Sequence, residues 1–344
     1  MGRTRLRALS TTVALTRISK SSLAIGEVPE DWRTVNMVPL FKKCSRDRPV
    51  NLLAIVILSR GKCGLSTCPT LYLVAMATAD LLIIITQVIL YRISFYYFPG
   101  SFLGITPVCT VIIVLLRAAI DCSVWFTVTF TFDRHVAICC QKLKTKYCTK
   151  KTAAVILSTY CILFCLKNVP FYFIYEPGDI IDSVPWGCTA KSSLFTEPGW
   201  VGFDWFTTVL TPLLPFALIL LLNALTVRHI LVSRIRKGLR VQSKGEKHSD
   251  PEMESRRKSV ILLFTISSSF ILLWLVYVID LFYYTTIGPA PGSYKDSEYI
   301  FQQVGWMLMN LSICTNTFIY GTKQSKFREQ VKSAVKYPLT SIIQ

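Results

Sequence analysis

Charge is what this sequence has little of. Only 17% of its 344 residues are Asp, Glu, Lys or Arg, and mean hydropathy is +0.45. A soluble helical protein of this length needs charge along most of its exposed faces. Here the charges are bunched between long apolar runs, which is the membrane pattern. The groupings that carry enzyme chemistry are also missing: no Ser/His/Asp constellation, no glycine-rich phosphate loop, and three histidines (His135, His229, His248) that all fall at basic segments. An enzyme is not expected. The twelve cysteines form no CxxC pair and no metal-ligand spacing. Most of them lie inside apolar runs, where a thiol behaves as a small hydrophobe.

What is present are six apolar runs long enough to cross a bilayer, which takes about 20 residues. They cover roughly Leu71–Ile93, Cys109–Phe132, Ala153–Tyr175, Phe203–Val227, Ser259–Tyr284 and Tyr299–Tyr320. The net charge of +18 could point to nucleic acid, but its placement argues otherwise. Lys142, Lys144, Lys146, Lys150 and Lys151 fall in one loop, Arg234 to Lys258 in another, and Lys323 to Lys336 in the tail. The alternate loops carry Glu176, Asp179, Asp182, Glu197 and Asp204, or Asp296 and Glu298. Basic loops alternating with acidic ones obey the positive-inside rule and set the basic loops in the cytoplasm. No nucleic-acid partner is expected; membrane lipids are. Cys109 and Cys188 then both fall on the outer, oxidising side and are a candidate disulfide.

The long segment from His229 to Lys258 lacks apolar periodicity at its centre and reads as a flexible cytoplasmic loop. Phe327, Val331, Ala334 and Val335 stand at helical spacing among lysines, as in a short amphipathic helix on the inner membrane face. The start departs from the pattern. Val50 to Leu58 reads as the end of a membrane helix about half the needed length. Residues 1–49 carry ten Lys/Arg against four Asp/Glu, against the positive-inside bias if they lie outside. A convincing signal peptide is lacking.

Asn51, Asp80, Cys109, Asp133-Arg134-His135, Cys188, Trp274 and Asn316 to Tyr320, taken in order and spacing, resemble the motif residues of the rhodopsin-like (class A) G-protein coupled receptors, a resemblance that covers about residues 50–336. Asn51 resembles the polar residue of that family's first helix, and Asp80 the sodium-site aspartate of its second. Cys109 and Cys188 resemble its disulfide to the second outer loop. Asp133-Arg134-His135 resembles the Asp-Arg-Tyr motif, Trp274 the toggle tryptophan, and Asn316-Thr317-Phe318-Ile319-Tyr320 the Asn-Pro-x-x-Tyr motif. Within the family, Thr131–Cys139, Tyr160 and Asn223 are similar to the orphan G-protein coupled receptor 139 group. The resemblance implies an all-α membrane fold, a seven-transmembrane helix bundle over residues 50–322 with a truncated first helix. Residues 323–344 would form the amphipathic helix and a short tail. It also implies a multi-pass plasma-membrane location, a small-molecule or short-peptide ligand outside, a heterotrimeric G protein inside, and no cofactor beyond a sodium ion at Asp80. Asp133, Arg134, His135, Asn316 and Tyr320 would form the coupling switch.

Four residues depart from the family pattern: His135 for tyrosine, Thr317 and Val276 for prolines, and Arg256 for an acid. Without the prolines both helices should be straighter, and any lock on Arg134 should rest on Asp133 alone. For ligand binding the candidates are Arg117, Asp121, Tyr277, Asp280, Gln303 and Trp306. Arg117 and Asp121 stand one turn apart on one helix face. They are either a self-neutralising pair, or Arg117 takes an anionic ligand group while Asp121 orients it. Asp80 is either a structural polar residue or a sodium ligand.

The front of the chain resembles something else. Ala24 to Arg33 and Val38 to Pro49 are similar to non-LTR retrotransposon reverse transcriptase, without that enzyme's paired catalytic aspartates. Residues 1–49 are therefore read as an atypical basic, disordered segment of transposon origin or exon misassignment. The leading expectation is a class A receptor that signals through a G protein. The alternatives are a non-signalling product of a mis-predicted or decaying receptor gene and, further off, a transporter or channel.

Overall fold

Long apolar runs dictate helices, because a backbone out of water must satisfy its own hydrogen bonds. The computed structural model of the protein describes residues 48–60, 67–93, 97–98, 100–241, 251–287, 296–323 and 327–331. Helix α1 covers Arg48–Ser59, and α2 covers Thr67–Ile83 and runs on as a π-helical stretch, Ile84–Ile93. Helix α3, Thr106–Cys139, is followed by a short α4, Gln141–Tyr147. Helix α5, Lys150–Asn168, ends in a 3-10 turn, Val169–Phe173. After an outer hairpin segment come a single turn α6, Ser193–Thr196, and α7, Pro198–Thr208. A π-helical turn, Val209–Leu213, joins α7 to α8, Leu214–Val241. Helices α9, Pro251–Ile287, and α10, Asp296–Lys323, complete the set.

Five of these helical stretches are long and apolar enough to cross a membrane: Thr67–Tyr91, Thr106–Cys139, Lys150–Phe173, Pro198–Ser233 and Ser259–Tyr283. They coincide with the first five apolar runs, and the sixth run lies within α10. Helix α3 is the axis of the assembly, packing on α2, α4, α5, α8 and α9, while α10 packs most closely on α9. Tyr72, Leu73, Met76, Phe130, Leu263 and Ile266 are buried together on the inner side of that axis. Val124, Ile219, Phe270, Trp274 and Met309 form a second buried cluster.

The π-turn between α7 and α8 has a local chemical cause. Pro212 lies inside it, and the Leu214 N–H reaches back to the carbonyl of Val209. The next donor in line would be at position 215, which is also proline. Leu210 C=O is thereby left open, and the Trp125 indole N–H of α3 donates to it at 3.2 Å. A sequence feature that breaks one helix thus supplies the acceptor that ties it to another.

Two expectations change. The cytoplasmic segment from His229 to Lys258 is largely helical, since α8 runs to Val241 and α9 starts at Pro251. Lys, Arg, Glu and Met are good helix formers, and proline is tolerated at a first helical position. Residues 242–250 lie outside the described residues. The second change is on the outer side. Strands β1 (Tyr175–Glu176) and β4 (Thr189–Ala190) pair antiparallel around a hairpin of β2 (Asp179–Ile181) and β3 (Val184–Trp186). Asp182 and Ser183 take positive φ at its tip, as a two-residue hairpin turn requires.

The segment expected to be transposon-like falls almost wholly within residues 1–47, which lie outside the described residues. Of the expected amphipathic helix, 327–331 are helical with Phe327 buried and Arg328 exposed. Helices α9 and α10 run unbroken through Val276 and Thr317, as the loss of both prolines allows.

Candidate functional site

The outer end of α3 carries three strands of restraint. Cys109 is disulfide-bonded to Cys188, with the Cα atoms 6.3 Å apart. Thr106 Oγ1 donates to Gly187 O at 2.7 Å, and Gly187 N donates to Gly104 O at 2.9 Å. Gly187 sits at φ +82, a region that side chains rarely adopt. The hairpin is therefore pinned over the helix end rather than merely tethered to it.

More than three turns further in, Asp121 is buried and has both carboxylate oxygens engaged. Lys167 Nζ of α5 lies 2.7 Å from Oδ2, Asn168 Nδ2 donates to Oδ2 at 2.6 Å, and Thr211 Oγ1 donates to Oδ1 at 2.5 Å. Lys167 Nζ also donates to Thr211 Oγ1 at 3.2 Å. This corrects the expected pairing of Asp121 with Arg117. The intrahelical spacing permits that pair, but Lys167 offers an ammonium from a neighbouring helix together with two further donors. A buried charge is tolerable only with such full satisfaction.

Arg117 is left to other company. Its guanidinium lies 3.9 Å over the Phe171 ring, a cation–π contact, and it is close to Tyr175, Tyr277 and Asp204. Tyr277 in turn meets Trp274 edge-on at 5.8 Å and Trp306 at 5.2 Å. Trp274 stacks on Phe270 at 5.0 Å. Arg117, Tyr277 and Trp306 are thus brought into one chain of contacts. Asp280 is buried on α9 and within electrostatic reach of Tyr277, with no hydrogen bond or ion pair among the described residues. Gln303 is half-buried on α10; nothing described joins it to Arg117. Gly305 was not foreseen. A Cβ there would stand 3.1 Å from the Tyr277 Cα, so the absence of a side chain is what lets α9 and α10 touch beside this aromatic row.

Midway along α3, Asp80 of α2 is buried. It accepts from Ser123 Oγ at 2.6 Å and from Asn316 Nδ2 at 3.0 Å. The spans carrying Asp80 and Asn316 are thereby joined over 236 residues of sequence. Two neutral donors on one carboxylate can either hold it as a structural group or leave it charged for a cation.

At the inner end, Arg134 pairs with the carboxylate of Asp133, with Nε to Oδ2 at 3.0 Å. The lock does not rest on Asp133 alone, as the sequence leads one to expect. Arg134 Nη1 donates to Ser259 Oγ of α9 at 3.3 Å, and Cys68 Sγ of α2 donates to Asp133 Oδ1 at 3.2 Å. Cys148 Sγ donates to Asp133 O at 3.7 Å. Burial, and then the neighbouring Asp133 charge, push the Cys148 thiol up to about 12, so it stays protonated and able to donate.

His135 bonds Thr226 of α8, Nδ1 to Oγ1, at 2.8 Å. Thr226 spends its own hydrogen on Leu222 O at 2.7 Å, so Nδ1 must carry the proton and donate. The side chains of Arg256, Thr317 and Tyr320 lie outside the described residues.

Sequence reasoning missed Lys167, Thr211, Cys68, Ser259 and Gly305. Only Lys167 carried a signal: an ionisable residue inside an apolar span is flagged by its cost alone.

Residues 50–320 match the family described as 7 transmembrane receptor (rhodopsin family). The chain is 24% identical over 297 residues to the FMRFamide receptor of Drosophila melanogaster, covering 81% of this chain and 49% of that receptor. It is 23% identical over 280 residues to G-protein coupled estrogen receptor 1 of Mus musculus, covering 78% and 66%. It is 25% identical over 292 residues to growth hormone secretagogue receptor type 1 of Oryctolagus cuniculus, covering 82% and 75%. The chain spans about half the length of the first and 66% of the second. With a family match over most of its length and the geometry that accompanies it, the chain belongs to the rhodopsin family of seven-transmembrane receptors, which are receptors and not enzymes.

Proposed function

We propose that this protein is a plasma-membrane receptor of seven membrane-crossing helices. It binds a small molecule or short peptide at its outer side and activates a heterotrimeric G protein at its inner side. The observation that carries the ligand reading is Arg117. Lys167, Asn168 and Thr211 occupy both oxygens of Asp121. The guanidinium lies over the Phe171 ring with Tyr175, Tyr277 and Asp204 nearby, and no carboxylate within 4 Å is recorded for it among the described residues. Such a group suits a carboxylate or other anion on the ligand, held by bidentate hydrogen bonds. Tyr277 and Trp306 would pack the ligand's aromatic body, with Asp280 and Gln303 beside them and Trp274 beneath as the toggle.

Inside, Asp133 and Arg134 would part on activation, and Arg134, His135, Asn316 and Tyr320 would shape the G-protein contact. Asp80 would hold a sodium ion in the resting state. Within the family we place the chain beside the orphan G-protein coupled receptor 139 group, on Thr131–Cys139, Tyr160 and Asn223. Residues 24–49 we read as transposon-derived; sequencing of the full transcript tests this, and an apolar first exon joined near Val50 would establish misassignment.

The test of function is guanine-nucleotide exchange on membranes carrying the full chain. Small carboxylic acids and short peptides with free or amidated C-termini serve as probes. Agonists should require the anionic group and lose on the order of tenfold potency or more in Arg117→Gln, as expected for a charge-assisted pair. Agonists equally potent on Arg117→Gln would overturn the role of Arg117. Exchange that no ligand and no substitution at Arg134 can move would overturn the receptor reading.

A further inference from the structure

A cleft of about 300 Å³ opens at the outer ends of α5 and α7, lined by Pro170, Glu197, Gly199, Trp200 and Phe203. It backs onto the Arg117 site through Phe171, and no role above uses it. Its depth follows from the spans: Pro170 lies within the last residues of Lys150–Phe173, and Glu197 immediately precedes Pro198–Ser233. Both ends are the outer ones by the charge pattern, so the cleft lies at the level of the outer lipid headgroups, where tryptophan concentrates.

Its walls have a specific chemistry. The Trp200 and Phe203 rings meet at 77° with centroids 6.1 Å apart, forming an aromatic corner. The Phe203 ring is fixed by Phe171, 5.1 Å away, so the corner is held before anything binds. Glu197 supplies a carboxylate at the rim and is exposed. Gly199 adds no side chain, and a Cβ there would meet nothing within 4 Å. Two aromatic faces at a right angle with one acid are the parts of a site for a bulky, weakly hydrated cation. The volume is at the lower end of small-ligand pockets, roughly 300–1,000 Å³, which fits a headgroup better than a drug-sized molecule.

We propose that this cleft binds the trimethylammonium headgroup of a choline phospholipid of the outer leaflet. The aromatic corner takes the cation's face, Glu197 balances its charge, and the acyl chains lie along the spans Lys150–Phe173 and Pro198–Ser233, where Val169, Phe206 and Val209 are exposed. An anionic headgroup would meet Glu197 and be repelled. A primary ammonium, being compact and strongly hydrated, would gain less from the rings. Anionic lipid is concentrated in the cytoplasmic leaflet, so a cationic moiety is what this depth offers.

Native mass spectrometry of the detergent-solubilised full chain, titrated with phosphatidylcholine, phosphatidylethanolamine or phosphatidylglycerol of matched acyl chains, tests this. Phosphatidylcholine should be retained several-fold better than the other two. Trp200→Leu should remove about threefold of that preference, as expected for one exposed cation–π contact. Glu197→Gln, an exposed and conservative change that should not disturb folding, should lower phosphatidylcholine retention and raise that of phosphatidylglycerol. Free choline should compete only weakly. Equal retention of the three lipids, or a preference for phosphatidylcholine that survives both substitutions, would overturn the site. Free choline binding as tightly as the phospholipid would overturn its assignment to lipid.

Discussion

The two acid–base centres of α3 are built in opposite ways. Near the middle of α3 Asp121 is held by Lys167, Asn168 and Thr211, groups that arrive from α5 and from the turn after α7. At the inner end Asp133 is held by its own sequence neighbour Arg134 and by one bond from Cys68, while Arg134 donates to Ser259. The first centre closes three helical segments on one buried carboxylate and leaves it nothing more to do. The second spends little on each neighbouring helix, so it can be rearranged at modest cost. What differs is the source of the cation and the number of donors: Asp121 takes an ammonium and two further donors from other segments, whereas Asp133 takes the guanidinium beside it in sequence and one thiol from α2.

That contrast can be broken most violently at Lys167. Lys167→Met strands a buried carboxylate and should destabilise the receptor by about 3–5 kcal/mol, read as a large fall in melting temperature and surface expression. Adding Asp121→Leu to it should recover part of the loss, because no charge is then left unpaired. The aromatic row beside the clamp is less exacting. Gly305→Leu would drive a side chain into the Tyr277 backbone, 3.1 Å away, and should cost about 1–3 kcal/mol by overpacking, again seen in melting temperature.

At the inner end the effects should appear in signalling rather than stability. Cys68→Ala removes a donor to Asp133 in the arrangement where Asp133 holds Arg134. Losing about 1 kcal/mol there should raise ligand-independent nucleotide exchange roughly fivefold by shifting populations, and Cys68→Ser should restore it. The smallest effect concerns Cys148. Its thiol is pushed up to about 12, so it stays protonated from neutral pH through pH 9. Maleimide labelling at this residue, followed by peptide mass mapping, should remain slow across that range, while free cysteine, with a pKa of about 8.5, becomes mostly reactive thiolate.

Much of the frame was legible in the sequence, because membrane insertion is governed by run length and charge placement, both of which are local. The runs from Leu71, Cys109, Ala153, Phe203 and Ser259 all became helices of spanning length, and Cys109 meets Cys188. What escaped was the sharing of polar groups between helices. Arg117 and Asp121 satisfy a spacing rule, yet Asp121 turns to Lys167, because a cross-helix ammonium with two supporting donors outcompetes a partner one turn away. Thr211 and Ser259 are unremarkable in sequence and gain a role only through contacts 90 and 125 residues away. The outer hairpin was missed for another reason: its strands are two or three residues long, too short for alternation to show.

The claim that α3 carries a clamp near its middle and a switch at its inner end is tested most directly by one assay. Basal guanine-nucleotide exchange is measured per folded surface receptor for the full chain, Lys167→Met and Cys68→Ala. The account predicts exchange per receptor unchanged in Lys167→Met despite far fewer receptors, and raised roughly fivefold in Cys68→Ala with receptor number nearly constant. Raised exchange in Lys167→Met with Cys68→Ala indistinguishable from the parent would contradict it.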